Sequence, residues 1–143
     1  MANKAPSAQE LRSVILQLSE WLEDDGAVLP TRSDSRHELV ADAVRGAAFT
    51  LEELAPGHSV EVRIPPFVAV QCVAGPRHTR GTPSNVVQTD PHSWLRLVTG
   101  LLSWEDAQQQ NLLSASGSRS SEVSHWLPLV PISAHHSSPR RKS

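Results

Sequence analysis

Three side chains able to carry positive charge, Arg77, His78 and Arg80, stand within four positions of one loop, GPRHTRGTPS at residues 75–84. Two guanidiniums beside turn backbone N–H groups can hold a carboxylate or phosphate head group. Thr79 and Thr82 complete the candidate set on that loop. The competing reading pairs the arginines with Asp90 or with acids of the first helix, and leaves the loop to shape a sheet edge. Both readings stay open at the level of sequence. Cys72 is the single cysteine. In a strand interior a free cysteine behaves as a small hydrophobe, whereas catalysis with His78 would need a thiolate in a polar, open setting. The histidines show no ligand spacing of the HExxH kind, and His135 and His136 adjoin in a polar tail, so no metal site is expected. P-loop, dinucleotide and G-x-S-x-G patterns are absent, and with them the usual cofactor and nucleophile signatures. Trp94, Trp104 and Trp126, with Leu101 and Leu127, either line an apolar ligand cavity or simply fill a core.

The elements that must position these residues follow from periodicity. Ser7 and Glu10 have capping-box spacing, and Leu11, Val14, Ile15, Leu18, Trp21 and Leu22 recur on one helical face. They predict a helix over residues 8–24. A second helix starts at Ser35 and Glu38, again at capping-box spacing, and carries Val40, Ala43, Val44, Ala47, Leu51 and Leu54. Val60, Val62 and Ile64 alternate with Glu61 and Arg63, a strand with one wet face. Pro65 and Pro66 interrupt the ladder. Residues 67–73 return as the antiparallel partner, and apolar residues on both of its faces predict a central, doubly covered strand. Residues 85–89 form a third strand. Asp90 and Pro91 open a helix that Gly100 closes. Ser103 caps a short helix, Asn111 stops it, residues 112–116 make a fourth strand and 120–127 a last helix. The two helices between the third and fourth strands are long enough for a parallel crossover.

The fold class expected is therefore α+β, a small layered structure on a mixed or antiparallel sheet. Its divisions are an N-terminal helix and link (1–33), an α/β domain (34–132) and a disordered polar tail (133–143). With 143 residues there is room for one modest core. A formal charge of -2 argues against nucleic acid as a partner. The chain shows no membrane-length apolar run and no signal-peptide core. The three basic residues near the C-terminus are too few for stable membrane anchoring. The expected location is cytoplasmic.

Two stretches carry a resemblance. DPHSWLRLVTG followed by LLSWEDAQQQN and LLSASGS, residues 90–118, resembles the C-terminal half of the sterol carrier protein family. Leu101, Glu105, Ala107, Leu113 and Gly117 occupy the places of that family's helix, turn, strand and glycine pattern. RIPPFVAVQCVAGPRHTRGTPSNVVQTDP is similar to the family's actinobacterial stand-alone branch. The resemblance spans residues 36–130 and implies the sterol-carrier fold, with helices packed on one face of a mixed sheet and often an apolar tunnel for lipid. The function expected is a non-catalytic module that binds a lipid or small amphiphile, with no cofactor and with the ligand's acidic head near Arg77 and Arg80. The alternative is an accessory domain that docks on a partner enzyme through the loop at 77–83.

Overall fold

The computed structural model describes residues 4–75 and 85–132. The chain opens with α1 (Ala8–Leu16), and the capping box forms as its spacing predicts. Ser7 Oγ accepts from the Glu10 N–H and Glu10 Oε1 from the Ser7 N–H, both at 3.0 Å. The single helix expected over 8–24 is instead two, α1 and α2 (Ser19–Glu23). The Leu18 N–H turns back to the Ile15 carbonyl at 2.9 Å, and Ser19 Oγ donates to the Leu16 carbonyl at 2.6 Å. A serine hydroxyl that takes a helix carbonyl competes with continuation of the ladder. The tight turn still delivers Leu18, Trp21 and Leu22 to the core beside Leu11 and Ile15.

The next helix, α3 (Arg36–Leu54), starts differently from its sequence signature. Ser35 makes no side-chain cap. Asp34 serves instead, its Oδ1 accepting from the Arg36 N–H at 2.9 Å while Arg36 Nη2 donates to Oδ2 at 2.7 Å. Two alternative acceptors stood side by side, and the carboxylate with a charged partner won. Val40, Ala43, Val44, Ala47, Ala48 and Leu51 form the buried stripe of α3.

The sheet has strands β1 (Val60–Ile64), β2 (Val68–Cys72), β3 (Val86–Thr89) and β4 (Leu113–Ser116) in the order β2-β1-β3-β4. β1 pairs antiparallel with β2 and parallel with β3, and β3 pairs antiparallel with β4. Two expectations are corrected here. β2 is an edge strand with Ala69 and Gln71 exposed, because the chain leaves it and passes to the far side of β1. The parallel pair is β1 with β3, and the crossover helices between β3 and β4 instead return the chain antiparallel.

Side-chain alternation then fixes the layers. Val60, Val62, Ile64, Val70, Cys72, Val87 and Leu113 share one buried face, which α3 and the final 3₁₀ helix (Ser120–Trp126) cover, with α4 (Pro91–Thr99) packed against α3. The other face carries Glu61, Arg63, Gln71, Gln88, Ser114 and Ser116. Helices on one face of a mixed sheet is the expected architecture. Each fully buried Val, Leu or Ile is worth roughly 1.5–3 kcal/mol, so this face supplies the core's main driving force.

α4 begins and ends as its residues dictate, with Asp90 accepting from the Ser93 N–H at 3.0 Å and Gly100 left-handed. Its polar side chains also resolve a charge mismatch in α2, whose C-terminal end is rich in acids. His92 Nε2 meets the Trp21 carbonyl at 3.0 Å, and Arg96 donates to the Leu22 carbonyl. A cation at those carbonyls complements the helix dipole. α5 (Trp104–Gln109) follows, with Ser103 as its cap and Asn111 left-handed beyond it at φ 59°. The last helix is 3₁₀ rather than α: Ser120 and Ser124 hydroxyls bond back to the Gly117 and Ser121 carbonyls and favour the tighter turn.

Candidate functional site

Two features bear on function, a cleft beside Trp104 and the anchorage of the basic loop. The cleft encloses about 370 Å³ between the α4–α5 turn and the end of the 3₁₀ helix, a size within the range of small-molecule sites. Leu97, Leu102, Trp104, Leu127 and Pro128 give it an apolar wall, with Ser103, Glu105 and Ser124 at the polar margin. The segment after Leu127 is strapped to α4: the Val130 N–H donates to the Val98 carbonyl at 2.9 Å and that of Ile132 to the Thr99 carbonyl at 3.1 Å. Arg12 Nη1 holds the Pro131 carbonyl from the far side at 3.2 Å. One wall is thus set by α4 and the other by a tied-down strap.

Trp104 is 8% exposed, and its buried indole Nε1 is without a hydrogen-bond acceptor among the described residues. A buried donor left unpaired costs about 1–3 kcal/mol. Such an N–H at the wall of an apolar cleft is a ready donor for a ligand's oxygen. Trp94 contrasts with it. Its ring is 1% exposed and its Nε1 donates to the Val44 carbonyl at 3.3 Å, which makes it a satisfied core residue.

The structure therefore brings together two of the sequence candidates, Trp104 and Leu127. Trp94 lies in the core, and Leu101 lines a neighbouring polar recess with Asp90, His92, Arg96 and Asp106. Arg77, His78, Thr79, Arg80 and Thr82 lie outside the described residues. Leu97, Leu102 and Pro128 are cleft residues that sequence reasoning missed; as single apolar residues and a proline they carry no distinguishing signal. A larger depression, about 890 Å³, lies beside Ser7, Gln9, Glu10, Ser13 and Asp42, but those side chains belong to exposed helix surface.

Arg119 was also missed, and it fixes the stems of the basic loop. Its Nη2 donates to the Ala74 carbonyl at 2.9 Å, and its N–H to Asn85 Oδ1 at 2.9 Å. Glu122 orients the guanidinium through bonds of 2.9 and 3.0 Å. The i,i+3 spacing of Arg119 and Glu122 was the signal available in the sequence. Val73 is held in the left-handed region at φ 70°, which is costly for a β-branched residue. Its N–H donates to the Ala55 carbonyl at 2.7 Å, while its own carbonyl accepts from the Ser59 N–H and Oγ at 3.1 and 2.7 Å. Gly57 passes so close, at φ 148°, that a Cβ there would overlap the Val73 carbonyl. The loop therefore departs from a rigid stem.

Cys72 is fully buried. Burial, aided by the charge of Glu52, pushes its thiol up to about 12, so it offers no thiolate at neutral pH. Of the four described histidines, His37, His58 and His92 engage the Pro30 carbonyl, Gln71 and the Trp21 carbonyl, and His125 lies beside the Trp126 ring. No cluster of three metal-ligating side chains occurs among the described residues. No helix among them is long and apolar enough to cross a membrane.

A search of curated proteins returns no match. The family described as bacterial SCP ortholog matches residues 35–129, from the residue before α3 to the start of the strap that walls the cleft. The match covers about two thirds of the chain, and the one-faced mixed sheet agrees with it: the chain belongs to the bacterial SCP ortholog family, the sterol-carrier-like family that its sequence resembles.

Proposed function

We propose that the protein binds a small amphiphile in the Trp104 cleft and carries it without chemical conversion. The observation that supports this most directly is the unpartnered, buried Trp104 N–H on an apolar wall. The ligand's hydrocarbon would pack on Leu97, Leu102, Leu127 and Pro128, and an oxygen would accept from Nε1. An acidic head would be drawn to Arg77 and Arg80. Arg119, which holds the stems of their loop, starts the 3₁₀ helix, and Leu127 of the cleft follows its other end. Seven residues of such a helix span about 14 Å, a distance that a medium-length amphiphile can bridge. A lipid-binding carrier role is in keeping with the family.

Native mass spectrometry of the protein purified from its own host, before and after denaturation, tests the reading. A discrete mass excess that disappears on unfolding is expected, and the Trp104→Phe variant should carry less of it. A bare mass from the host, together with no uptake of a fluorescent fatty acid, would overturn the proposal.

A further inference from the structure

Seven arginines lie among the described residues, and five of them donate to a defined acceptor. Arg36, Arg63 and Arg119 pair with Asp34, Glu61 and Glu122, while Arg12 and Arg96 hold the Pro131 and Leu22 carbonyls. Arg32 and Arg45 alone make neither an ion pair nor a hydrogen bond there. Both line the same cleft of about 740 Å³, between the link at 29–32, the first turns of α3 and the turn joining β1 to β2. Two guanidiniums without acceptors, converging on one concavity, are the arrangement that a bound carboxylate completes.

The rest of the lining says what the carboxylate is attached to. Leu29, Pro30, Ala41, Pro66 and Phe67 give the cleft an apolar floor. Arg45 stands over the Phe67 ring, its Cζ 5.6 Å from the centroid. His37 meets the same ring edge-on at 5.6 Å, its Nδ1 anchored on the Pro30 carbonyl. A flat ring laid on Pro66 and Phe67 would bring its acid group within the reach of Arg45. Asp34, the nearest link acid, is already engaged by Arg36 through both oxygens and leaves the two free arginines uncompensated. Glu38 is the only acid in the lining, so with both arginines charged the cleft keeps a formal +1, setting His37 aside.

We infer that this cleft is a second binding site, for a small aromatic carboxylate, distinct from the Trp104 cleft. Its residues share no member with that cleft, so neither reading depends on the other. The ligand would be held by charge-assisted bonds from Arg32 and Arg45 and by packing on Phe67, with Glu38 limiting its affinity.

Amide chemical-shift titration of the full chain with benzoate, benzamide and inorganic phosphate tests the inference. Benzoate should shift amides of residues 29–45 and 66–67 and leave those around Trp104 unmoved. Benzamide, the neutral isostere, should bind at least tenfold more weakly. Arg45→Gln should weaken benzoate about tenfold, Arg32→Gln should weaken it less, and the double variant should abolish saturation. Glu38→Gln should tighten it severalfold, a gain that a merely structural role would not give. All three side chains are exposed, so an unchanged amide spectrum outside the cleft verifies folding. Equal affinities for benzoate and benzamide, or wild-type benzoate binding by the double arginine variant, would overturn the site. Phosphate binding as tightly as benzoate, with the same shifts, would overturn the aromatic assignment.

Discussion

Cys72 offers the sharpest test of how completely the core excludes water. Its thiol is pushed from 9.0 to about 12, first by burial and then by Glu52. In the unfolded chain the thiol ionises near its ordinary value, whereas in the folded protein it keeps its proton about three units further. The sign follows directly. Below pH 9 both states hold the proton and the contribution of the buried thiol is fully present. Above that value the unfolded state loses its proton first, so stability falls as pH rises and the loss is complete near pH 12. At 1.36 kcal/mol per unit, the whole window is worth about 4 kcal/mol, and the step from pH 9 to 10.5 about 2 kcal/mol. The chain is well suited to the measurement, since it has no tyrosine and only two lysines, Lys4 and Lys142, to titrate in the same range. Urea unfolding of the wild type and of Cys72→Ala at several pH values gives the difference. The variant is offset by its lost packing, but the offset does not change with pH. Wild type should lose about 2 kcal/mol more than the variant across that step. Parallel pH profiles, or thiolate absorbance of the native protein rising near pH 8.5, would show that Cys72 is solvated and refute the reasoning.

Four further outcomes follow from the same structure. Trp94→Phe removes a bonded indole and should destabilise by about 1–2 kcal/mol, whereas Trp104→Phe relieves an unpaired donor and should leave the melting temperature level or raised; a reversed order in calorimetry would contradict the assigned partners. Gly57→Ala places a Cβ against the Val73 carbonyl at positive φ and should cost on the order of 3 kcal/mol in urea unfolding; near-neutral behaviour would show that the stem relaxes. Arg119→Ala removes the Nη2 bond to the Ala74 carbonyl but keeps the backbone N–H that donates to Asn85 Oδ1, so amide exchange around Ala74 should accelerate while that around Asn85 stays level; equal acceleration at both would dismiss this division of the clasp. Asp34 is held at about 2 by its hydrogen bonds from Arg36, so its contribution is present above pH 4 and is lost as pH falls through that value; carbon-detected titration should find the low midpoint, and Arg36→Ala should return it towards 4.

Local signals were the legible part of the fold. Ser7 with Glu10, Asp90 with Pro91, Gly100 and Asn111 each act within one turn of the chain, and each does in the structure what its chemistry predicts. The alternation in β1 likewise announced its single wet face. Pairing order was not legible, because it depends on partners distant in the chain. β2 reads as doubly apolar through Phe67 and Ala69, yet Ala69 is small enough to face water at a sheet edge at little cost. The break after α1 escaped for a related reason. The hydrophobic stripe runs on without interruption, and only a serine hydroxyl bonding to a carbonyl separates one helix from two.

The sites divide along the same line. A cluster of like charges in a glycine- and proline-rich loop is visible in sequence because its members are neighbours, and so Arg77, His78 and Arg80 were found first. A missing partner is invisible there, since it is a property of the surroundings rather than of the residue. Trp94 and Trp104 have the same side chain, and the Val44 carbonyl, fifty positions away from Trp94, separates the core residue from the candidate donor. Arg45 and Arg36 likewise differ only in that Asp34 reaches one of them. The unpaired groups are therefore where structure adds most to the reading of function. With Trp104 Nε1 left without an acceptor among the described residues, a ligand that supplied an oxygen there would gain the bond without displacing another, since folding has already borne the desolvation of that N–H.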